Sequence, residues 1–114
     1  MRLSQLQSEH LLWVRHNFPD QLPHQPLLGL AEEVGELSHA HLKHEQGIRG
    51  YSTTEYFAEA EDAVGDIMIY LASYCNANHI DLEGATEKTW ARVKRRDWQR
   101  DPLKGGEGAA AAGS

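Results

Sequence analysis

Cysteine is almost absent from this chain, since Cys75 is the only one among 114 residues. A single cysteine cannot form an internal disulfide bond, and this is typical of proteins that fold in a reducing compartment. Cys75 lies within an apolar helical pattern, so we expect it to pack in the core. The N-terminal residues also lack the apolar stretch of a signal peptide. We therefore expect a soluble, cytoplasmic protein.

Long apolar runs and positive charge are scarce as well. No segment approaches the roughly 18 apolar residues that a membrane-spanning helix needs, so we expect no association with a membrane. The net charge is −6, and an acidic chain is poorly suited to bind the phosphate backbone of a nucleic acid. An acidic protein that acts on phosphates needs a metal ion or a local basic patch.

Two features of large protein classes are missing too. No Gly-x-x-x-x-Gly-Lys loop is present, which excludes a P-loop nucleotide site, and no repeat of the solenoid type occurs. The length suggests one domain, which we place at residues 1–100. The glycine- and alanine-rich residues 101–114 are interpreted as a low-complexity, disordered tail.

What the chain does contain is the apolar periodicity of helices. This periodicity predicts an all-α fold, a bundle of four helices over residues 2–18, 26–47, 54–78 and 82–98. Pro26 suits a first helical turn, Ser52 and Glu55 fit a capping box, and Asp81 is a good N-cap. The third helix is apolar around much of its circumference, so we expect a homodimer or a dimer of dimers.

Acidic side chains lie among the apolar residues of the second and third predicted helices. Glu33 and Glu36 are one helical turn apart, and so are Asp62 and Asp66. An apolar run follows Asp66 directly, and a carboxylate beside such a run is costly to bury without a neutralising charge. Two facing pairs would form an oxygen-lined cage for Mg²⁺, or for Mn²⁺ in its place. The alternative is a solvated acidic face, which is common on helices.

Aromatic and basic side chains elsewhere are candidates for binding a substrate. Trp13 and Asn17, near the end of the first helix, are both candidates for binding the substrate. Trp13 is a candidate platform for a nucleobase, with simple core packing as the alternative. Lys43 follows the acids on the second helix and is a candidate phosphate ligand. The predicted fourth helix carries a cluster of cations, among them Lys88, Arg92 and Arg95.

These motifs resemble those of the MazG-like, all-α nucleoside triphosphate pyrophosphohydrolases. The resemblance rests on residues 30–37, which read Leu-Ala-Glu-Glu-Val-Gly-Glu-Leu, and on residues 65–71, which read Gly-Asp-Ile-Met-Ile-Tyr-Leu. It covers residues 5–100. The family pairs a Glu-x-x-Glu motif with a Glu-x-x-Asp motif on the next long helix, and Glu33 and Glu36 supply the first of these.

The second motif departs from the family pattern. Ala63 stands three residues before Asp66, where the family has an acid. Asp62, four residues before Asp66, shares the face of Asp66 and is our candidate for the missing ligand. Glu59, one turn earlier on the same face, is the next candidate.

The resemblance implies a four-helix core that dimerises, with Mg²⁺ held by the acids of both helices. It also implies hydrolysis of an NTP or dNTP to the monophosphate and pyrophosphate, which clears surplus or non-standard nucleotides. Phosphoryl transfer depends on positioning and charge neutralisation more than on a strong nucleophile. Glu33 or Glu36 would accept the proton of the attacking water, and the basic side chains would neutralise the triphosphate.

Two other functions stay open. The altered second motif is compatible with a non-catalytic helical interaction protein that retains the fold. Glu36 and His39 form a Glu-x-x-His motif, as in di-iron carboxylate bundles, although those sites need two such motifs and the chain has one. The histidines at 39, 41 and 44 are poorly spaced for a zinc site, because they do not share one helical face.

Overall fold

The computed structural model of the protein describes residues 1–48 and 52–106. In this part the chain forms α-helices and no strand, and the helices are α1 (Leu3–Asn17), α2 (Gln25–Gln46), α3 (Thr53–Ala77) and α4 (Leu82–Val93). The prediction of an all-α fold with four helices is therefore confirmed. The chain divides into two compact units, Met1–Ile80 with the first three helices and Asp81–Ser114 with α4. Of the helices in the described residues, none is long and apolar enough to cross a membrane.

In the first unit, α3 packs against both α2 and α1. The most buried side chains of the α2–α3 pair are small: Ala40 is 1% exposed and Ala72 is 0% exposed. Small side chains at the contact allow two helices to approach closely, because the distance between helix axes depends on the side chains between them. Cys75 is also buried, which confirms its expected place in the core.

Side-chain amides fasten α1 to α3. Asn76 Nδ2 donates to the carbonyl of Gln7 at 2.9 Å, and Gln7 Nε2 donates to the carbonyl of Ile80 at 2.6 Å. Each bond joins residues about seventy positions apart in the sequence. These bonds hold the first half of α1 against the C-terminal end of α3.

The helix ends follow the local sequence signals. Pro26 lies in the first turn of α2, and Ser52 and Glu55 form the predicted capping box at the start of α3. Gly47 ends α2 in the left-handed region at φ 64°, which a residue without a Cβ adopts at little cost.

The second unit corrects the predicted length of the fourth helix. Helix α4 ends at Val93 rather than near residue 98, so the cations at 94, 95 and 96 follow the helix instead of completing it. The carboxylate of Asp97 accepts backbone bonds from residues 99 and 100, and that of Asp101 accepts from residues 104 and 106. Aspartate side chains offer the backbone such partners in competition with a helix.

Residues 101–106 belong to this turn. The N–H group of Asp97 donates to the carbonyl of Gly105 at 2.8 Å, and Gly105 donates to the carbonyl of Asp101 at 2.7 Å. Gly105 and Gly106 have φ angles of 65° and 72°. The first six residues of the predicted tail are therefore folded, and residues 107–114 lie outside the described part of the chain.

Several large apolar side chains of α3 face solvent. Phe57 is 63% exposed and Val64 is 52% exposed. Both lie on the helix that was predicted to be apolar around much of its circumference, while the buried positions of α3 are Ala63, Ala72, Ser73 and Cys75. The first unit therefore carries exposed apolar side chains on α3.

Candidate functional site

Three glutamates form a tight cluster on α2. Glu32, Glu33 and Glu36 each offer a carboxylate oxygen, and these oxygens lie within 4.8 Å of one another. The helix positions them, because residues three and four apart share a face. Glu32 and Glu36 are exposed, whereas Glu33 is half-buried. Three carboxylates at this separation repel one another unless a proton or a cation is shared among them.

Of the three glutamates, Glu33 has the least favourable environment for a charged carboxylate. Burial raises the pKa of its carboxyl group above the ordinary value of 4.5, and the negative charges of Glu36 and Asp66 raise it further. A hydrogen bond with Glu36 and the charge of Glu32 act in the same direction. Oxygen Oε2 of Glu33 is buried and has no hydrogen-bond partner. A buried oxygen without a partner is uncommon and calls for an explanation.

Asp66 acts on this cluster from α3. It is half-buried, and its charge raises the pKa of Glu33 from the neighbouring helix. The structure brings together two of the four predicted metal ligands, Glu33 and Glu36, whereas Asp66 and Asp62 do not belong to the close group of carboxylate oxygens in the described residues. It adds Glu32, which the sequence interpretation did not include.

Asp62 lies one turn before Asp66 and is exposed. Both aspartates line a cleft of about 490 Å³ on α3, together with Glu61 and Gly65. Asp62 is not among the carboxylates that lie within reach of one another in the described residues. Its role as the fourth ligand stays a prediction, and the same holds for Glu59.

A cavity in the first unit, which we call the aromatic cavity, lies beside Asp66. It has a volume of about 730 Å³ and is lined by residues of α1, α2 and α3, including Asp66. Trp13 stacks on His10 with 5.6 Å between ring centroids and 24° between the planes. Phe18 meets the edge of Trp13 at 5.7 Å. Cavities of this size, apolar with a few polar groups, are typical of small-molecule sites.

His10 and Ser73 are buried polar residues that line this cavity, and His10 has a nitrogen without a partner. His10 is 9% exposed, and the unpartnered nitrogen is Nε2. Burial lowers the pKa of the imidazole, which favours the neutral ring. A neutral imidazole nitrogen offers a hydrogen bond without a charge, so the cavity combines stacking surface with one unused polar contact.

Comparison with known proteins finds no match: no protein-family model, no curated protein and no solved structure matches this chain. The function is therefore inferred from the residues and their geometry.

The other predicted substrate ligands of the first unit lie elsewhere. Trp13 lines the aromatic cavity, but Asn17 lines a smaller cleft and donates to the carbonyl of Trp13 at 2.9 Å. Lys43 is half-buried and donates to Gln46 Oε1 at 3.3 Å. Neither Asn17 nor Lys43 lines the cavity.

The predicted phosphate ligands Lys88, Arg92 and Arg95 belong to the second unit. Lys88 and Arg92 are exposed on α4, and Arg95 is exposed just beyond its end. Their basic character is a property of that unit, and their part in binding a substrate stays a prediction.

The histidines after the acids make contacts of their own. His41 Nδ1 lies 3.1 Å from the hydroxyl of Tyr56, and the ring of His44 stacks on Tyr56 at 4.4 Å. Of the Glu-x-x-His motif, Glu36 belongs to the close group of ligand atoms in the described residues. His39 does not, because that group consists of glutamates.

Sequence interpretation missed Glu32 and His10. Glu32 precedes Glu33 directly and points about 100° away from it, but it lies four residues before Glu36, and this spacing was the signal that could have found it. Its oxygen reaches the cluster because glutamate is long and flexible. His10 appeared only as one residue of the helical pattern, and its unpartnered nitrogen depends on packing between helices that a sequence does not display.

Proposed function

We propose that this protein is a Mg²⁺-dependent nucleoside triphosphate pyrophosphohydrolase, which converts an NTP or dNTP into the monophosphate and pyrophosphate. The observation that carries this proposal is the double position of Asp66. It lines the aromatic cavity, and its charge acts on Glu33 in the glutamate cluster. A nucleobase beside Trp13 would therefore have its phosphates next to the carboxylates.

The carboxylates fit a hard divalent cation. Carboxylate oxygens are the ligands that Mg²⁺ prefers, and the three glutamate oxygens lie within 4.8 Å of one another. The unpartnered Oε2 of Glu33 has the bonding capacity that such an ion uses. Glu32, Glu33 and Glu36 would hold the ion, with Asp66 as a further candidate ligand. When bound, Mg²⁺ neutralises phosphate oxygens and orients the attacking water.

The side chains of the cluster supply the proton transfer. Water attacks the α-phosphorus, the bond to the bridging oxygen breaks, and pyrophosphate leaves. The proton of the water passes to a carboxylate of the cluster, which we assign to Glu33. Glu36, its hydrogen-bond partner, is the alternative base. Lys43 is assigned to neutralising the triphosphate, and the same role for Lys88, Arg92 and Arg95 of the second unit stays a prediction.

The proposal includes a homodimer or a dimer of dimers in the cytoplasm. Phe57 and Val64 on α3 and Leu28 on α2 are each more than half exposed. Single exposed apolar residues are ordinary, but a cluster of them is typical of an interface. A second copy of the chain would cover this surface, and closed symmetry would make both copies contribute the same residues.

A phosphate-release screen tests the activity. The protein is incubated with each NTP and dNTP and with Mg²⁺, with and without an added inorganic pyrophosphatase. We expect phosphate only when the pyrophosphatase is present, since the primary product is pyrophosphate, and we expect excess EDTA to abolish the reaction. Phosphate release without the coupling enzyme would indicate a different cleavage. Full activity in EDTA, with metal removal verified, would refute the role of the cation.

A second candidate function is a non-catalytic helical interaction protein. It is favoured by the exposed apolar side chains of α3 and by Ala63, which stands at the position of an expected acid. If the screen shows no hydrolysis of any nucleotide at micromolar protein concentration, this candidate replaces the first.

A further inference from the structure

Gly29 lies in the middle of a close contact between α2 and α3. A Cβ atom placed on Gly29 would overlap the ring of Tyr70, with three ring carbons as its nearest neighbours. The Tyr70 ring therefore lies against the backbone of α2, in the space that any other side chain at position 29 would fill. Both residues also line the large aromatic cavity.

A glycine inside a helix needs a reason of this kind. Glycine is the poorest helix former apart from proline, because it leaves the unfolded chain the most freedom. Helix α2 holds a second interior glycine, Gly35, and a Cβ atom there would meet nothing within 4 Å. The two positions share a helix and differ in their neighbours, so Gly35 is a matched control for Gly29.

We propose that Gly29 is a positioning residue of the aromatic cavity. Its missing side chain lets the Tyr70 ring rest against α2, and this keeps the cavity open for a planar ring beside Trp13. The identity of that ring as a nucleobase rests on the proposed function, whereas the effect of Gly29 on the width of the cavity does not. With alanine at position 29, the Tyr70 ring must move away from α2. Because the cavity is the space beside this ring, the movement narrows the cavity.

Thermal unfolding tests the contact itself. Gly35→Ala should raise Tm by several degrees, because alanine favours the helix and meets no obstacle. Gly29→Ala should lower Tm in the otherwise unchanged protein. In a Tyr70→Ala background, the same Gly29→Ala change should raise Tm, because the obstacle has gone. An equal effect of Gly29→Ala in both backgrounds would overturn the proposal.

Binding of a small ligand tests the effect on the cavity. The probe is N-phenyl-1-naphthylamine, an uncharged fluorophore, titrated into wild type, Gly29→Ala and Gly35→Ala at a temperature where each is folded. We expect Gly29→Ala to bind it several-fold more weakly than wild type and Gly35→Ala to bind it equally well. Equal binding by wild type and Gly29→Ala would overturn the proposal.

Nucleotide hydrolysis separates the positioning role from a loss of fold. For the best nucleotide of the screen, Gly29→Ala should raise KM several-fold and leave kcat within about two-fold, because the glutamate cluster is not displaced. An unchanged KM would count against Gly29. If wild type hydrolyses no nucleotide but binds the fluorophore better than Gly29→Ala does, the proposed function fails and the role of Gly29 stands.

Discussion

At the scale of single residues, Glu33 shows the conflict between stability and function most clearly. Its carboxyl group is half-buried, its Oε2 has no partner, and like charges raise its pKa. Such an arrangement destabilises a fold that has no ligand, and groups of this kind are characteristic of functional sites. A cation would resolve all three features at once.

The raised pKa of Glu33 has a definite effect on stability. Because the folded state holds the proton more tightly than the unfolded state, stability is greatest below the ordinary pKa of 4.5 and is lost as the pH rises through the folded-state pKa. We predict that Glu33→Gln removes this loss in metal-free protein, so that its Tm falls less than that of wild type between pH 4.5 and neutral pH. Thermal unfolding across this range, in EDTA, measures the difference. Parallel Tm curves for the two proteins would show that Glu33 titrates normally.

Individual residues were predictable to the extent that helical spacing placed them. Glu33 and Glu36 share a face by their spacing alone, and Trp13 lines the cavity as an aromatic platform requires. Asn17 was placed beside Trp13 by sequence proximity, but its amide bonds the preceding turn of its own helix. That choice between a local partner and the cavity depends on rotamers, which spacing does not determine.

At the scale of elements, α3 links the two parts of the candidate site. Asp66 on this helix lines the aromatic cavity and raises the pKa of Glu33 by its charge, and both Asp66 and Asp62, one turn earlier, line the cleft. Replacing the two aspartates one at a time shows whether the proposed metal site takes ligands from one turn of α3 or from both.

We predict that Asp66→Asn and Asp62→Asn each lower turnover by orders of magnitude while the fold persists. The amide keeps the shape of the side chain and removes the charge that holds the cation. Glu45→Gln is the control, since Glu45 is an exposed acid near the end of α2 and should change stability by no more than about 0.5 kcal/mol. Glu61 does not serve as a control, because it lines the same cleft as Asp62.

Steady-state rates and circular dichroism spectra of the three variants provide the measurement. Loss of turnover in Asp66→Asn with a nearly normal rate in Asp62→Asn would reject Asp62 as a ligand. Glu59 would then be the next acid to replace.

The helix caps provide a second test among the elements. Ser52 accepts a bond from the N–H group of Glu55 at 3.1 Å, and Glu55 returns a bond to the N–H group of Ser52. Asp81 holds the same N-cap position in α4 without a side-chain cap bond. We predict that Ser52→Ala lowers the free energy of unfolding by about 1 kcal/mol and that Asp81→Ala has a smaller effect. Urea denaturation of both variants measures this, and equal losses would contradict it.

Sequence signals for the elements succeeded where a helix end is built from its own residues. The capping box at Ser52 is such a case, and so is Pro26 in the first turn of α2. The end of α4 was placed too late because the residues after Val93 suit a helix locally. Hydrogen bonds of Asp97 and Asp101 form the turn that follows α4. Hydrophobic periodicity does not predict such bonds.

At the scale of the whole molecule, the main property that a single chain does not explain is the exposure of large apolar side chains. Phe57 and Val64 on α3 are mostly exposed, and both lie on the helix that was predicted to be apolar around much of its circumference. We predict that light scattering at micromolar concentration gives two or four times the 12.8 kDa of one chain, and that Phe57→Asp shifts the mass toward the monomer, since a charge is costly to bury in an interface.

Ser8→Asp is the control for the assembly. Ser8 is exposed on α1, so the substitution introduces the same negative charge away from the exposed apolar side chains of α3. A wild-type protein that is monomeric and fully active at the same concentration would contradict the predicted assembly.

The most direct test of the central claim follows the phosphorus atoms of the substrate. Phosphorus NMR of the best nucleotide with Mg²⁺ should show, for wild type, the triphosphate signals replaced by equal amounts of monophosphate and pyrophosphate. Glu33→Gln, which keeps the shape of the side chain but not its charge, should leave the triphosphate essentially intact. A diphosphate with orthophosphate as products, or wild-type turnover by Glu33→Gln, would contradict the account.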